Sequence, residues 1–132
     1  MPDGSMITLL RTGSDLPSYL ARSTDGGHSW TKPVKFDKCG VLPMLLHLKC
    51  GVTLASYGRP GRYIRATTDP SGLEWEKPYM LDPPVFPRRS CYYHEMLEID
   101  ERTAMLAYTD FHVKDRNGTE RKSILVRTIH VE

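Results

Sequence analysis

A repeated segment is the feature that most constrains the fold of this chain. The segment STDGGHSWTKPVKF (residues 23–36) returns as TTDPSGLEWEKPYML (residues 67–81), about 45 residues further on. Both copies read Ser or Thr, then Thr-Asp, a glycine, a tryptophan and Lys-Pro. The second copy has one extra residue and places Pro70 at the position of the first glycine. A repeat of this period indicates similar supersecondary units that stack on one another.

Short apolar segments precede each copy and predict the strands of these units. The segments SMITLL and GVTLASYG are each followed by an arginine-bearing loop and a second strand, SYLARS or RYIRAT. A third unit begins with YYHEMLEI and TAMLAYTD, lacks the Asp-Gly-Trp motif, and carries the hairpin signal Asn117-Gly118. We therefore predict an all-β fold, a β-propeller of about three four-stranded blades in one domain. The approximate blades are residues 1–40, 41–84 and 85–132.

Composition excludes several functional classes. The chain has 132 residues, 39% apolar and 26% charged, which is typical of one soluble domain. A net charge of +2 gives no reason to expect nucleic acid or a membrane surface as a partner. No apolar run is long enough for a membrane span, because the longest is interrupted by Pro43. The cysteines are far apart and the histidines do not cluster, so no metal, cofactor or disulfide framework is expected.

Three blades are fewer than a closed ring requires. Complete propellers have about 4–8 blades, and three alone would expose the flanks of the first and last blades. The opening residues MPDGS resemble a hairpin turn cut at its beginning, and they lack the features of a signal peptide. We therefore expect either part of a larger ring or a homo-oligomer in which copies complete each other, and we expect an isolated chain to self-associate.

The repeated motif has a structural explanation at every position. Ser23 and Asp25 are short polar residues that can hydrogen-bond to nearby backbone and hold a turn. The two glycines allow positive φ, and Trp30 can cover the turn while its N–H finds a partner. An acid with no second carboxylate or base nearby has no evident catalytic role. We therefore predict a structural turn.

Both copies resemble the Asp-box, the repeat of bacterial neuraminidases with the pattern Ser/Thr-x-Asp-x-Gly-x-x-Trp. This box occurs in sialidases, in some receptors and in other secreted proteins, so it indicates fold more than activity. The resemblance favours a secreted or periplasmic location. The structural residues it implies are Ser23, Asp25, Gly27 and Trp30 in the first copy, and Thr67, Asp69, Gly72 and Trp75 in the second.

The segments between the boxes resemble sialidases more specifically. LLRTGSDLPSYLARSTDGGHSW and LASYGRPGRYIRATTD each place an arginine ahead of a box, and SCYYHEMLEIDERTAMLAYTD resembles the last blade. The similarity covers nearly the whole chain and implies the C-terminal half of a six-bladed propeller. It implies that Arg11 and Arg59 bind the carboxylate of sialic acid, with Arg62 as a rival to Arg59. The expected partner is a sialylated or other acidic glycan.

The resemblance also implies a tyrosine nucleophile. The pattern Tyr-x-x-Leu, set against YHEM, selects Tyr93 over Tyr92, and sialidases are the glycosidases that use tyrosine. A neutral phenol is not repelled by the substrate carboxylate, but its pKa of about 10 requires a base. Glu95 is a weak substitute for that base. Asp110 stands where the family often has a glutamate, and capping of a strand end is the alternative for it.

Several family residues are not found here. They are the first arginine, the acid/base aspartate and the glutamate that activates the tyrosine. We therefore expect this chain to be the C-terminal part of a sialidase-like glycosidase that releases sialic acid or a related acidic sugar with retention of configuration. We expect the chain to be inactive on its own. The alternative is a non-catalytic Asp-box propeller that binds a glycan or a protein. A hydrolase of another sugar on the same fold is a third possibility.

Overall fold

The computed structural model describes residues 1–87 and 93–132. All helices and strands that could be assigned in these residues are β-strands. The all-β prediction is therefore confirmed. The ten strands are β1 Met6–Arg11, β2 Ser18–Ser23, β3 Val34–Asp37, β4 Val41–His47, β5 Thr53–Gly58, β6 Arg62–Thr67, β7 Tyr79–Asp82, β8 His94–Asp100, β9 Thr103–Lys114 and β10 Glu120–His130. In the described residues, no helix is long and apolar enough to cross a membrane.

The strands form three antiparallel sheets in chain order. The first sheet is β1-β2-β3, the second β4-β5-β6-β7 and the third β8-β9-β10. The predicted four strands per unit are therefore found only in the second sheet among the described residues. In the first unit only residues 38–40 separate β3 from β4, too few for another strand. In the third unit β9 and β10 form a long hairpin of 12 and 11 residues, closed at residues 115–119.

The alternation of side chains explains why these segments are strands. In β8, His94 and Met96 are buried whereas Glu95 and Leu97 are exposed, as expected where one face of a sheet meets the core. By contrast, β5 is buried at every residue. A strand buried on both faces lies inside a stack of sheets.

Two hydrophobic cores hold the three sheets together. One core joins the first two sheets, and its aromatic centre is Phe36, which packs edge-on against Tyr57 and Trp75 with ring centroids 5.5 and 5.2 Å apart. The other core joins the second and third sheets through Leu54, Ile64, Met96, Leu106 and Tyr108, among others. The second sheet thus lies between the other two. In addition, β4 contacts both β1 and β8, so the first strands of the three sheets are neighbours.

Candidate functional site

The candidate site residues and the repeated turns lie at opposite ends of the sheets. Arg11 ends β1 opposite Ser18, while Arg59 follows Gly58, which pairs with Arg62. Tyr93 directly precedes β8. We call this end, marked by Arg11, Arg59 and Tyr93, the arginine rim. The strands β2 and β6 start at the rim and end at Ser23 and Thr67, the first residues of the two boxes.

Two arginines from neighbouring sheets converge at the arginine rim. Arg59 donates a hydrogen bond from Nη1 to the hydroxyl oxygen of Ser14 over 2.9 Å, and Arg11 donates from Nη2 to the same oxygen over 3.4 Å. Arg11 also donates from Nε to the carbonyl of Gly13 over 3.4 Å. Ser14 lies in the loop between β1 and β2. The structure therefore brings together two arginines that are far apart in sequence.

The backbone around this pair is in an unusual conformation. Arg59 and Asp15, the neighbour of Ser14, both have φ of 60°. That left-handed region is disfavoured for residues with a Cβ. The Arg59 conformation is held by a hydrogen bond from its N–H to the carbonyl of Gly61 over 3.0 Å. Strained backbone of this kind persists where the surrounding structure enforces it, and it concentrates at functional sites.

Arg62 lies in a different environment from Arg59. The residue is 4% exposed, its Nη1 lies 2.6 Å from Asp82, and its guanidinium stacks 3.7 Å from the centre of the Tyr108 ring. Asp82 also accepts a hydrogen bond from Arg127 over 2.7 Å. Burial lowers the pKa of Arg62, and the Asp82 carboxylate opposes that shift. Arg62 therefore belongs to an ion pair within the second sheet, which Arg127 and Tyr108 of the third sheet contact. Of the two rival arginines, it is Arg59 that shares the Ser14 hydroxyl with Arg11.

Tyr93 is 59% exposed at the arginine rim, directly before the buried His94. Its rival Tyr92 lies outside the described residues. Glu95 is two residues further along β8, on the same face as Tyr93, and its carboxylate accepts a hydrogen bond from the N–H of Met96 over 3.2 Å. Asp110 is buried and accepts from the N–H of His112 over 2.9 Å. That contact is a local backbone cap.

The first box is a turn closed by its own acid. Asp25 accepts hydrogen bonds from the hydroxyl of Ser23 over 2.7 Å, from the N–H of Ser29 over 2.9 Å and from the Ser29 hydroxyl over 2.6 Å. The indole of Trp30 donates to the carbonyl of Gly27 over 3.1 Å. These donors, led by the Ser29 hydroxyl, lower the pKa of Asp25 to about 2. The carboxylate therefore acts as a backbone cap.

The second box reaches the same arrangement with one more residue. Asp69 accepts from the hydroxyl and N–H of Ser71 and from the N–H groups of Leu73 and Glu74, and these donors lower its pKa further below the usual range. Trp75 donates from its indole to Gly72 over 2.8 Å. The inserted residue is accommodated because one Asp69 oxygen takes two successive N–H groups.

The two tryptophans of the boxes differ in their surroundings. Trp75 packs against Phe36 of the preceding sheet, whereas Trp30 is 41% exposed. Trp30 nevertheless lies over its own turn, because its indole donates to the Gly27 carbonyl and a Cβ placed at Gly27 would lie 3.8 Å from its ring.

The positions of the cysteines and of possible metal ligands are known for the described residues. Within residues 1–87 and 93–132, no three His, Cys, Asp or Glu side chains gather so as to hold a metal ion. Cys39 and Cys50 are free thiols, and Cys91 lies outside the described residues. Burial raises the pKa of the Cys39 thiol to about 11, which makes it a poor nucleophile.

Comparison with known proteins gives one fold-level likeness. A crystal structure of a protein of unknown function from Dyadobacter fermentans is similar to this chain, with a TM-score of 0.69 and 21% sequence identity. The match covers 99% of this chain but 36% of that chain, so this chain spans little more than a third of its length. No family model and no curated protein matches the sequence significantly. At this identity the likeness shows the fold alone.

Sequence reasoning missed Ser14. The available sequence signal was its place in a Gly-Ser loop shortly after Arg11. Its contact with Arg59, however, joins the first sheet to the second, and no local sequence pattern predicts such a contact. The Asp82–Arg127 contact that completes the Arg62 ion pair was missed for the same reason.

Proposed function

We propose that this chain forms three blades of a sialidase-like β-propeller, and that its arginine rim binds the carboxylate of a sialic acid or a related acidic sugar. Three features support the propeller: the sheets stack in chain order, their first strands are neighbours, and both box turns lie at one end. The arginine rim is the opposite end. A ligand site at one end of the central axis is compatible with this arrangement.

The observation that carries the ligand proposal is the convergence of Arg11 and Arg59 on the oxygen of Ser14. Two guanidinium groups that donate to one oxygen present permanent positive charge and several N–H donors to the same point. A carboxylate fits such a point because its two oxygens accept paired hydrogen bonds from guanidinium groups. The strained backbone at Arg59 holds one of the two donors in place, which reduces the entropy lost on binding.

In the hydrolysis of a sialoside, the residues of this chain would have distinct roles. The arginine pair would orient the sugar through its carboxylate, and the phenol oxygen of Tyr93 would attack the anomeric carbon with retention of configuration. The phenol proton must leave as the bond forms, and Glu95 on the same face is the weak candidate to accept it. The leaving group also needs a proton donor, which another subunit or sequence outside these 132 residues would supply. We therefore expect no turnover from this chain alone.

A binding experiment tests the ligand proposal directly. Isothermal titration with N-acetylneuraminic acid is expected to show binding that is lost with its methyl ester, which lacks the charged carboxylate. Arg59→Ala should weaken binding by about tenfold or more, because one charge-assisted contact is removed. Arg102→Ala, an exposed arginine in the turn between β8 and β9, is the matched control and should bind normally. Equal binding of acid and ester would exclude the carboxylate site.

A turnover assay separates the enzyme from the non-catalytic alternative. The alternative is a propeller that only binds a glycan or a protein, and the box acids Asp25 and Asp69, which cap their own turns, do not distinguish it from the enzyme. If any preparation containing this chain cleaves a fluorogenic sialoside, Tyr93→Phe should abolish the activity. Full activity of Tyr93→Phe would rule out this nucleophile. Binding that Arg59→Ala weakens, without turnover in any preparation, would favour the alternative.

A further inference from the structure

The long hairpin of β9 and β10 extends beyond the arginine rim. Strand β8 begins at His94, which pairs with Tyr108, whereas β9 continues beyond that pair to Lys114, whose partner is Glu120 of β10. At about 3.3 Å per residue, this continuation adds roughly 20 Å along the strand direction. Tyr93 marks the same end of β8, so the projection stands at the arginine rim. We call it the rim hairpin, residues 109–123.

The loop after β7 connects the surroundings of the rim hairpin to the arginine pair. His112 of the hairpin and residues 85–87 of that loop line a cleft of about 490 Å³. Earlier in the same loop, Pro84 packs on the turn of the arginine pair, because a Cβ placed at Gly61 would lie 3.3 Å from its Cδ. The carbonyl of Gly61 accepts the hydrogen bond from the N–H of Arg59. The cleft therefore borders the same rim as the arginine pair.

The face of the rim hairpin that lines the cleft carries more positive than negative charge. Glu120 lines the cleft, Lys114 is its cross-strand partner, and Lys122 lies two residues further along β10, so the three side chains share one face. The Glu120 carboxylate accepts a hydrogen bond from Nδ1 of His112 over 2.8 Å. The acid of this face is therefore engaged within the hairpin, whereas both lysines are exposed.

The turn of the rim hairpin adds another cation. Asp115 accepts hydrogen bonds from the N–H groups of Asn117 and Thr119 and pairs with Nε of Arg121 over 2.9 Å. Arg116, the next residue in the turn, is exposed. Among the described residues, no carboxylate lies within ion-pair distance of the three remaining cations of the hairpin, which are Lys114, Arg116 and Lys122.

We propose that the rim binds an acidic oligosaccharide at two points: the carboxylate of one sugar at the arginine pair, and a second negatively charged group of the same molecule at the rim hairpin. This inference rests on the proposed function and narrows its ligand from a single acidic sugar to a chain of acidic sugars. Charge complementarity selects that ligand, because the arginine pair and the lysines Lys114 and Lys122 present two separate groups of positive charge. The cleft also offers the ring of Phe86, which is 77% exposed, as an apolar surface for an intervening sugar.

Isothermal titration with α-linked oligomers of N-acetylneuraminic acid tests this ligand. The tetramer is expected to bind about tenfold or more tighter than the monomer, because its second contact forms within a molecule that is already bound. The double variant Lys114→Ala/Lys122→Ala should lose most of that gain. The matched control, Lys32→Ala/Lys77→Ala, removes the same charge from exposed lysines that follow the two boxes, and it should keep the gain. Circular dichroism would verify that both variants are folded.

Arg59→Ala separates this inference from the proposed function. It should weaken the binding of the monomer and of the tetramer, because both place a carboxylate at the arginine pair. A chain that binds the monomer through Arg59 but gains nothing with the tetramer would overturn the inference and leave the proposed function standing. Equal loss of the gain in both double variants would overturn it too, since the attraction would then not depend on the rim hairpin. Tetramer binding that Arg59→Ala leaves intact would show that the two points do not act on one ligand.

Discussion

Arg62 and Asp82 form an ion pair of 2.6 Å between strands of the second sheet, and the arginine side chain is almost completely buried against the third. The Tyr108 ring lies 3.7 Å from its guanidinium. The pair therefore links the two sheets directly below the arginine rim. A buried charge of this kind is tolerated only while its partner remains.

Asp82→Asn should consequently be strongly destabilising. The substitution keeps the shape of the side chain but removes the carboxylate that pairs with the buried Arg62 guanidinium, which costs about 3–5 kcal/mol. Asp82 also accepts from Arg127, so the loss affects two arginines. Urea unfolding would measure the change. The control is Lys49→Ala, which breaks the exposed pair with Glu98 at 3.7 Å and should cost less than about 1 kcal/mol. Similar costs for both would contradict this account of Arg62.

The boxes predict a loss of stability in acid. The pKa of Asp25 is about 2 in the folded chain because its oxygens accept several hydrogen bonds, and the pKa of Asp69 is also lowered. An acid whose pKa is lowered by folding stabilises the folded chain at pH values above its unfolded pKa of about 3.9. That stabilisation is lost as the pH falls through the folded-state pKa. The melting temperature should therefore fall steeply between about pH 4 and pH 2.

Substitution of the box acids tests the source of that slope. Asp25→Asn and Asp69→Asn should each lower the melting temperature at neutral pH and flatten its decline in acid, because the titrating group is gone. Glu74→Gln, at an exposed carboxylate of the second box, is the control and should keep the slope of the unaltered chain. An unchanged slope in both asparagine variants would show that other groups cause the acid sensitivity.

Gly40 is predicted to be intolerant of a side chain. It is buried, and a Cβ added there would overlap the side chain of Ser18, whose hydroxyl donates to the carbonyl of Cys39 over 2.8 Å. Gly40→Ala should therefore destabilise the chain by about 1–3 kcal/mol through overpacking. Thermal or urea unfolding would measure it. Ser18→Gly in the same chain should recover part of the loss if the overlap is the cause, and no recovery would point to the backbone instead.

Local patterns predicted much of the fold, because they depend on residues close in sequence. Alternation and turn residues indicated the strands, and Asn117-Gly118 indicated the hairpin that joins β9 and β10. The box pattern likewise predicted turns in which the aspartates hydrogen-bond to nearby backbone, as Asp25 and Asp69 do. Contacts between sheets had no such signature. The choice between Arg59 and Arg62 depended on the contact of Arg62 with Asp82. The number of strands in the third sheet depended on how far the long strands β9 and β10 extend.

Ser14 is predicted to position the arginine pair. Its hydroxyl oxygen accepts from both Arg59 and Arg11, so it keeps two like charges turned toward the same point. Ser14→Ala should weaken the binding of N-acetylneuraminic acid by about three- to tenfold, in line with the loss of one hydrogen bond of about 1 kcal/mol. Ser14→Thr keeps the hydroxyl and should restore most of the affinity. Because the loop is exposed, the melting temperature should barely change in either variant. Full affinity in Ser14→Ala, or equal weakening in Ser14→Thr, would mean that Arg11 and Arg59 hold their positions without this hydroxyl.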